Sequence, residues 1–190
     1  MMIFLILAPY GAFTALMLVT SATVSLFTAA AICLMAIAHD ILHGRSIKML
    51  GAGSALLFAA LGCYITLADA GWSSSVVKLT VDCGVFAISL ASLAMRQPFT
   101  LQYARQVVDA ETARLPGFLK ANYIITWAWT AAFMLMLIAN ILMIYVPGLP
   151  LWSGIAIAFA ARNTAVYFTK WYPEYQRAKF ASSTVSASAL

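Results

Sequence analysis

Two histidines, His39 and His43, stand four residues apart with Asp40 between them, a spacing that puts both imidazoles on one helical face and can hold a metal ion. They are the chain's two histidines, so a haem held from opposite helices finds no second histidine elsewhere, and a solvated helix end accounts for the pair equally. Arg162 and Asn163 fall inside the last apolar stretch, where an arginine costs about 2.5–3.5 kcal/mol on insertion scales and must face protein or water. Asp82 is the opposite charge available to it, and Asn140 can share the network. Asp82, Asn140, Arg162 and Asn163 are therefore a candidate intramembrane polar site, with a structural clamp or a snorkelling arginine as the plainer explanation. The run Pro98-Phe99-Thr100-Leu101-Gln102-Tyr103-Ala104-Arg105 brings an aromatic, a hydroxyl, an amide and a guanidinium together. Phe99, Thr100, Gln102, Tyr103 and Arg105 are candidate contacts to a lipid phosphate or a partner protein, or they simply seat an interfacial helix among the headgroups.

The chain carries no Walker A motif, no GxSxG and no HExxH, so common enzyme classes lose their usual sequence support and the chain reads as non-enzymatic. Cys33, Cys63 and Cys83 lie in apolar runs without CxxC spacing, as small hydrophobes rather than a disulfide or zinc framework. No cofactor is expected. The net charge of +5 does not point to nucleic acid, because the basic residues come in ones and twos beside apolar runs.

The elements that must position these residues follow from the charge distribution. Lys, Arg, Asp and Glu together make up only 9% of a chain that is 64% hydrophobic, against roughly 45–50% apolar residues in a soluble domain. Residues 1–38, 49–68 and 121–161 carry no charge, and about 20 apolar residues suffice to cross a bilayer. The first stretch divides into helices near 3–19 and 22–39 with a turn at Thr20-Ser21, or else forms one long helix bent near Pro9-Tyr10-Gly11. Without a positive leading segment it reads as a retained helix rather than a secretory signal.

Further helices are expected near 49–68 and 74–95, the second opening on the serine run Ser73 to Ser75 as N-cap and carrying Lys78 and Asp82 at i,i+4. Residues 100–114 read as a short helix along the membrane surface. The break Pro147-Gly148-Leu149-Pro150 separates helices near 121–146 and 151–170. Trp72 suits a membrane interface, and Gly51, Gly53 and Ser54 suit a close helix contact. The expected fold is an all-α bundle of about six spans in one transmembrane domain, 1–180, with an interfacial amphipathic helix between spans 4 and 5 and a disordered tail, 181–190.

Six spans place nine of the eleven Lys and Arg residues on one side, leaving Lys78 opposite and Arg162 within the last span. The positive-inside rule then sets both termini in the cytoplasm of a bacterial inner membrane.

The order of these features, with Leu115-Pro116 closing the amphipathic segment, Trp127 early and Asn140 late in the next helix, resembles the bacterial intracellular septation protein A family across roughly residues 5–170. The PFTLQYAR run is similar to one found in uncharacterised bacterial membrane proteins. The resemblance implies an inner-membrane protein tied to the cell envelope or division, without catalytic residues to carry over. The expected function is an interacting protein or accessory subunit, with membrane lipids and a membrane-protein partner or a second copy as its contacts. The alternatives are a small transporter or lipid- or quinone-binding protein built on the polar site, and a haem- or metal-binding protein built on His39 and His43.

Overall fold

In a bilayer the backbone has no water to bond with, so an apolar stretch satisfies its N–H and C=O groups internally as a helix. The computed structural model describes the backbone of residues 2–69, 71–146 and 148–187, with side chains across 8–177, except at 70, 147 and 151, and at 179. Its helices are α1 (Met2–Leu16), α2 (Ala22–Leu42), α3 (Met49–Leu67), α4 (Ser74–Ala94), α5 (Phe99–Ala104), α6 (Pro116–Tyr145) and α7 (Leu151–Ala187), with a 3₁₀ turn at Thr112–Arg114 between α5 and α6. Among the described residues there is no strand. Four helices, α2, α3, α4 and α6, are long and apolar enough to cross a membrane. Their outer faces agree with that, since Leu34, Met35, Leu56, Leu67, Trp127 and Leu135 are all exposed, more apolar surface than water tolerates on a monomer.

The boundaries have local causes. Ser21 caps α2 by accepting the Val24 N–H, which makes the first apolar stretch two helices rather than one. Ser73 does the same for α4 through Val76. Gly44, at φ +67°, ends α2, and the following Arg45 N–H bonds back to Asp40 O at 2.8 Å, a turn that needs the left-handed conformation. Pro116 occupies the first turn of α6, where its missing N–H costs nothing. Pro147 lies outside the described residues, and the turn it belongs to runs through Gly148 at φ +87°.

Three expectations need correction. The helix placed at 100–114 is the shorter, six-residue α5, which buries Phe99 and Leu101. The last helix does not stop at residue 170 but continues through Pro173, its backbone helical as far as Ala187. α1, at 15 residues, is shorter than the four candidate spans.

Packing runs α1 on α2, α2 on α3, α3 on α4, α4 on α6 and α6 on α7. The helices thus form a curved row with α1 and α7 at its ends. One buried cluster joins Phe13 of α1, Leu26 and Ala29 of α2, Phe58 of α3 and Val77 and Val81 of α4. A second joins Leu50, Phe99, Ile125, Trp129, Ala161 and Ala165 at the other end, and Phe133 packs against both.

The small residues of α3 and α4 are consumed by this packing. A Cβ on Gly84 would stand 2.5 Å from Leu57 Cδ1, and one on Gly53 3.0 Å from Ile88 Cδ1. Gly84→Val is therefore expected to lower stability by about 1–3 kcal/mol through overpacking. Gly117→Ala, where a Cβ meets nothing within 4 Å, should be neutral or slightly stabilising. Denaturant unfolding of the detergent-solubilised variants checks both; equal effects would show that α3 and α4 do not meet this closely.

Candidate functional site

Between α1 and α7 the row encloses space. A cavity of about 350 Å³ is lined by Tyr10 and Phe13 of α1, Lys78 and Asp82 of α4, Asn140 of α6 and Arg162 of α7. A larger one, about 770 Å³, lies between α5, α6 and the second half of α7, with Thr100, Tyr103, Asn122, Trp129, Thr169 and Arg177 among its walls. Tyr10, Trp129 and Phe133 line both, so these three rings are shared walls of the two spaces. Each volume falls in the roughly 300–1,000 Å³ range of small-molecule sites.

The smaller cavity gathers three of the four residues of the candidate intramembrane polar site. Asp82 and Arg162 are not joined to each other. Asn140 Nδ2 instead donates to Asp82 Oδ2, and Lys78 stands one helical turn from Asp82 on the same wall. Arg162 is half-buried and makes no ion pair or hydrogen bond with the described residues. Asn163 is exposed and turns its amide back to Phe159 O at 2.7 Å, outside the cavity wall.

The PFTLQYAR residues are drawn into the bundle. Thr100 Oγ1 donates to Asn122 O at 2.9 Å and lies 2.7 Å from Thr126 Oγ1. Thr130 Oγ1 donates to Thr126 O and lies 2.5 Å from Ser89 Oγ. Ser92 Oγ bonds Ser89 O and accepts the Phe99 N–H at 3.3 Å. This ladder of hydroxyls welds α5 to α4 and α6. On the other side the Met49 N–H donates to Gln102 Oε1 at 2.6 Å, which satisfies one of the free donors at the start of α3. Arg105 alone of the five candidates is exposed. Beyond it Asp109 accepts both the Thr112 N–H and hydroxyl at 2.8 Å, and these bonds hold its carboxyl below the usual carboxylate range.

A third feature was not among the sequence candidates. Lys48, at the start of α3, and Asp40, near the end of α2, are both buried and form an ion pair, joined by Arg45 at 3.7 Å from Asp40 Oδ1. Lys48 Nζ lies 5.1 Å from the centre of the Tyr103 ring, a cation–π distance. Burial, followed by the charge of Asp40, pushes the Tyr103 hydroxyl well above the ordinary phenol range, so it stays neutral. The Gln106 amide lines the same small pocket, buried and without a partner among the described residues. Asp40 and Lys48 bracket a short connection between two apolar runs, a placement that brings opposite charges near each other without marking them as buried.

His39 and His43 stack at 4.2 Å between ring centres, and His43 Nδ1 lies 2.8 Å from His39 O. Both are exposed. Among the described residues no third His, Cys, Asp or Glu joins them in a possible metal-ligand group, because the neighbouring Asp40 turns to Lys48. Two aromatics outside the sequence candidates border these cavities. Tyr10 bonds Ser54 Oγ and borders all three cavities. Trp129 is buried and donates Nε1–H to Thr169 Oγ1 at 2.9 Å, whereas Trp127 is exposed.

The chain matches no protein-family model, no curated protein and no solved structure.

Removing one partner of a buried ion pair strands the other charge. Asp40→Asn is expected to destabilise by about 3–5 kcal/mol, and Lys48→Met by a smaller amount because Arg45 remains beside Asp40. The double variant should fall well short of the sum of the two losses. Unfolding of the four proteins in one detergent reads this coupling, and strict additivity would place Asp40 and Lys48 in separate, solvated settings.

Proposed function

We propose that this chain is a non-enzymatic inner-membrane protein in which α1 and α7 cross the bilayer beside the four candidate spans, with both termini in the cytoplasm, and that it holds a long-chain amphiphile, a lipid or a quinone, inside its bundle. The observation that carries this reading is an apolar cavity and a charged one side by side, with Tyr10, Trp129 and Phe133 as shared walls. Such a space suits a molecule with a hydrocarbon tail and one polar end. Its helical walls end at α1 and α7, so the tail has lateral access from the membrane. Four candidate spans support a membrane protein. The two further crossings rest on the apolar character of α1 and of the first half of α7, and the orientation rests on the Lys and Arg side bias.

A second reading, an accessory subunit of an envelope or division assembly, draws on one specific observation besides the septation-protein resemblance. α7 is 37 residues long, about 55 Å at 1.5 Å per residue, so it outreaches a hydrocarbon core of about 30 Å. On it Phe168, Trp171, Tyr172 and Tyr175 stack in succession at 5.1–6.0 Å, with Trp171 and Tyr175 exposed. Aromatic anchors of this kind suit a protein contact.

The two readings separate in one preparation. Protein extracted gently from its membrane and examined by native mass spectrometry is expected to retain about one amphiphile per chain, and Ala121→Phe, which fills the wall of the larger cavity, is expected to lower that occupancy severalfold without loss of fold. A stoichiometric second protein with no retained lipid or quinone would instead establish the subunit reading.

A further inference from the structure

The polar end of the occupant has a chemistry that the cavity walls specify. The smaller cavity brings two cations, Lys78 and Arg162, and one carboxylate, Asp82, to a shared space. Asp82 is engaged by Asn140 Nδ2 and sits at i,i+4 from Lys78, the spacing at which two side chains on one helix pair. Arg162 is left as the surplus charge, without an ion pair or hydrogen bond among the described residues. A guanidinium at this depth is costly until an anion or water meets it, and its planar donors fit a carboxylate or phosphate best. The larger cavity offers the opposite environment. Leu50, Phe99, Ile125, Trp129 and Phe133 form much of its wall, which accepts hydrocarbon and has no cation until Arg177 at its far end.

We infer that the occupant is an anionic single-headed lipid, its carboxylate or phosphate seated on Arg162 and Lys78 in the smaller cavity and its tail threaded past Tyr10, Trp129 and Phe133 into the larger one. This rests on the amphiphile reading above and adds the sign of the head, its depth and the direction of the tail. The head then stands inside the bundle, between the first half of α4, the second half of α6 and the first half of α7, away from the Asp40–Lys48 pair. Asn163, although adjacent in sequence, takes no part, because it faces away from the cavity.

The test uses the full chain in nanodiscs of uncharged phosphatidylcholine, with three photoactivatable probes that share one 16-carbon diazirine tail and differ in the head: carboxylic acid, phosphate monoester and alcohol. The acid, the phosphate or both are expected to crosslink to the α6 segment around Trp129 and Phe133 about tenfold more than the alcohol. Which of the two labels tells a free fatty acid from a lipid phosphate. Arg162→Gln should reduce that labelling roughly tenfold, the loss of a charge-assisted contact, and Lys78→Gln should reduce it in the same direction. Arg162→Lys, which keeps the charge, should retain labelling within about threefold and so shows that a drop in the Gln variant is not misfolding. Lys120→Gln, at an exposed residue that lines neither cavity, should leave labelling unchanged. Labelling by the alcohol equal to that by the acid and phosphate, or loss in Lys120→Gln with retention in Arg162→Gln, overturns the head assignment while the amphiphile reading stands. Absence of labelling by all three probes in the unaltered protein overturns both.

Discussion

The insertion of α5 into one end of the bundle is the constraint on which the remaining architecture depends. Helices that follow one another in sequence pack readily in antiparallel pairs, but α4 and α6 are separated by more than twenty residues, and something must hold that connection against their shared face. The hydroxyl ladder does so. Ser92 receives the Phe99 N–H, Ser89 meets Thr130, and Thr100 bonds both Thr126 and the Asn122 carbonyl. Each of these groups would be costly if buried alone in a membrane interior, and together they leave none of their number unpaired. Phe99 then fills the space between α3 and α6, and Gln102 completes the start of α3.

With that end closed, the far ends of the row are left free to stand apart. α7 packs on α6 and α1 on α2, so the gap between α1 and α7 is not filled by side chains of neighbouring helices. The bilayer supplies no hydrophobic force to close it, since lipid tails are as apolar as the helix faces. A soluble protein with this arrangement would collapse its cavity. A membrane protein can keep one, because apolar walls meeting lipid lose little compared with apolar walls meeting each other. The placement of Arg162 in this gap, rather than against Asp82, follows the same logic: Asn140 already occupies Asp82, and the arginine has water or a ligand as its remaining company.

Helix positions were legible because the membrane imposes a coarse rule that charge-free stretches obey. Ser21, Ser73, Gly44 and Pro116 mark their boundaries for reasons visible in the sequence. The fate of Phe99 to Tyr103 was not legible. Their mixture of polar and apolar types reads as a surface helix, and only the serines and threonines of α4 and α6, spaced as neighbours on their own helices, show that a polar face lies inside the bundle to receive Thr100. Lys48 was missed for a related reason: a lysine at a helix start ordinarily marks solvent, and its burial becomes sensible only once Asp40 and the Tyr103 ring are brought to it through α5. Asp82, Asn140 and Arg162 were picked out by depth alone. That criterion drew together three residues that line one cavity and also admitted Asn163, because two successive residues on a helix point about 100° apart and only one of them can face a given neighbour.

The walls of the cavity differ in how firmly they are held. On the α6 side Trp129 is fixed at both ends, its ring among Phe133, Ile125 and Ala165 and its N–H on Thr169, and Thr169 in turn donates to Ala165 O. On the α1 side the contacts described are fewer: Phe13 against Phe58, and Tyr10 against Phe58 and Ser54. Pro9 also removes one backbone bond from a helix of only 15 residues. Tyr10, which borders each of the three cavities described above, stands one residue after Pro9, so the wall shared by the apolar and charged spaces is carried at the point where the α1 backbone loses a bond.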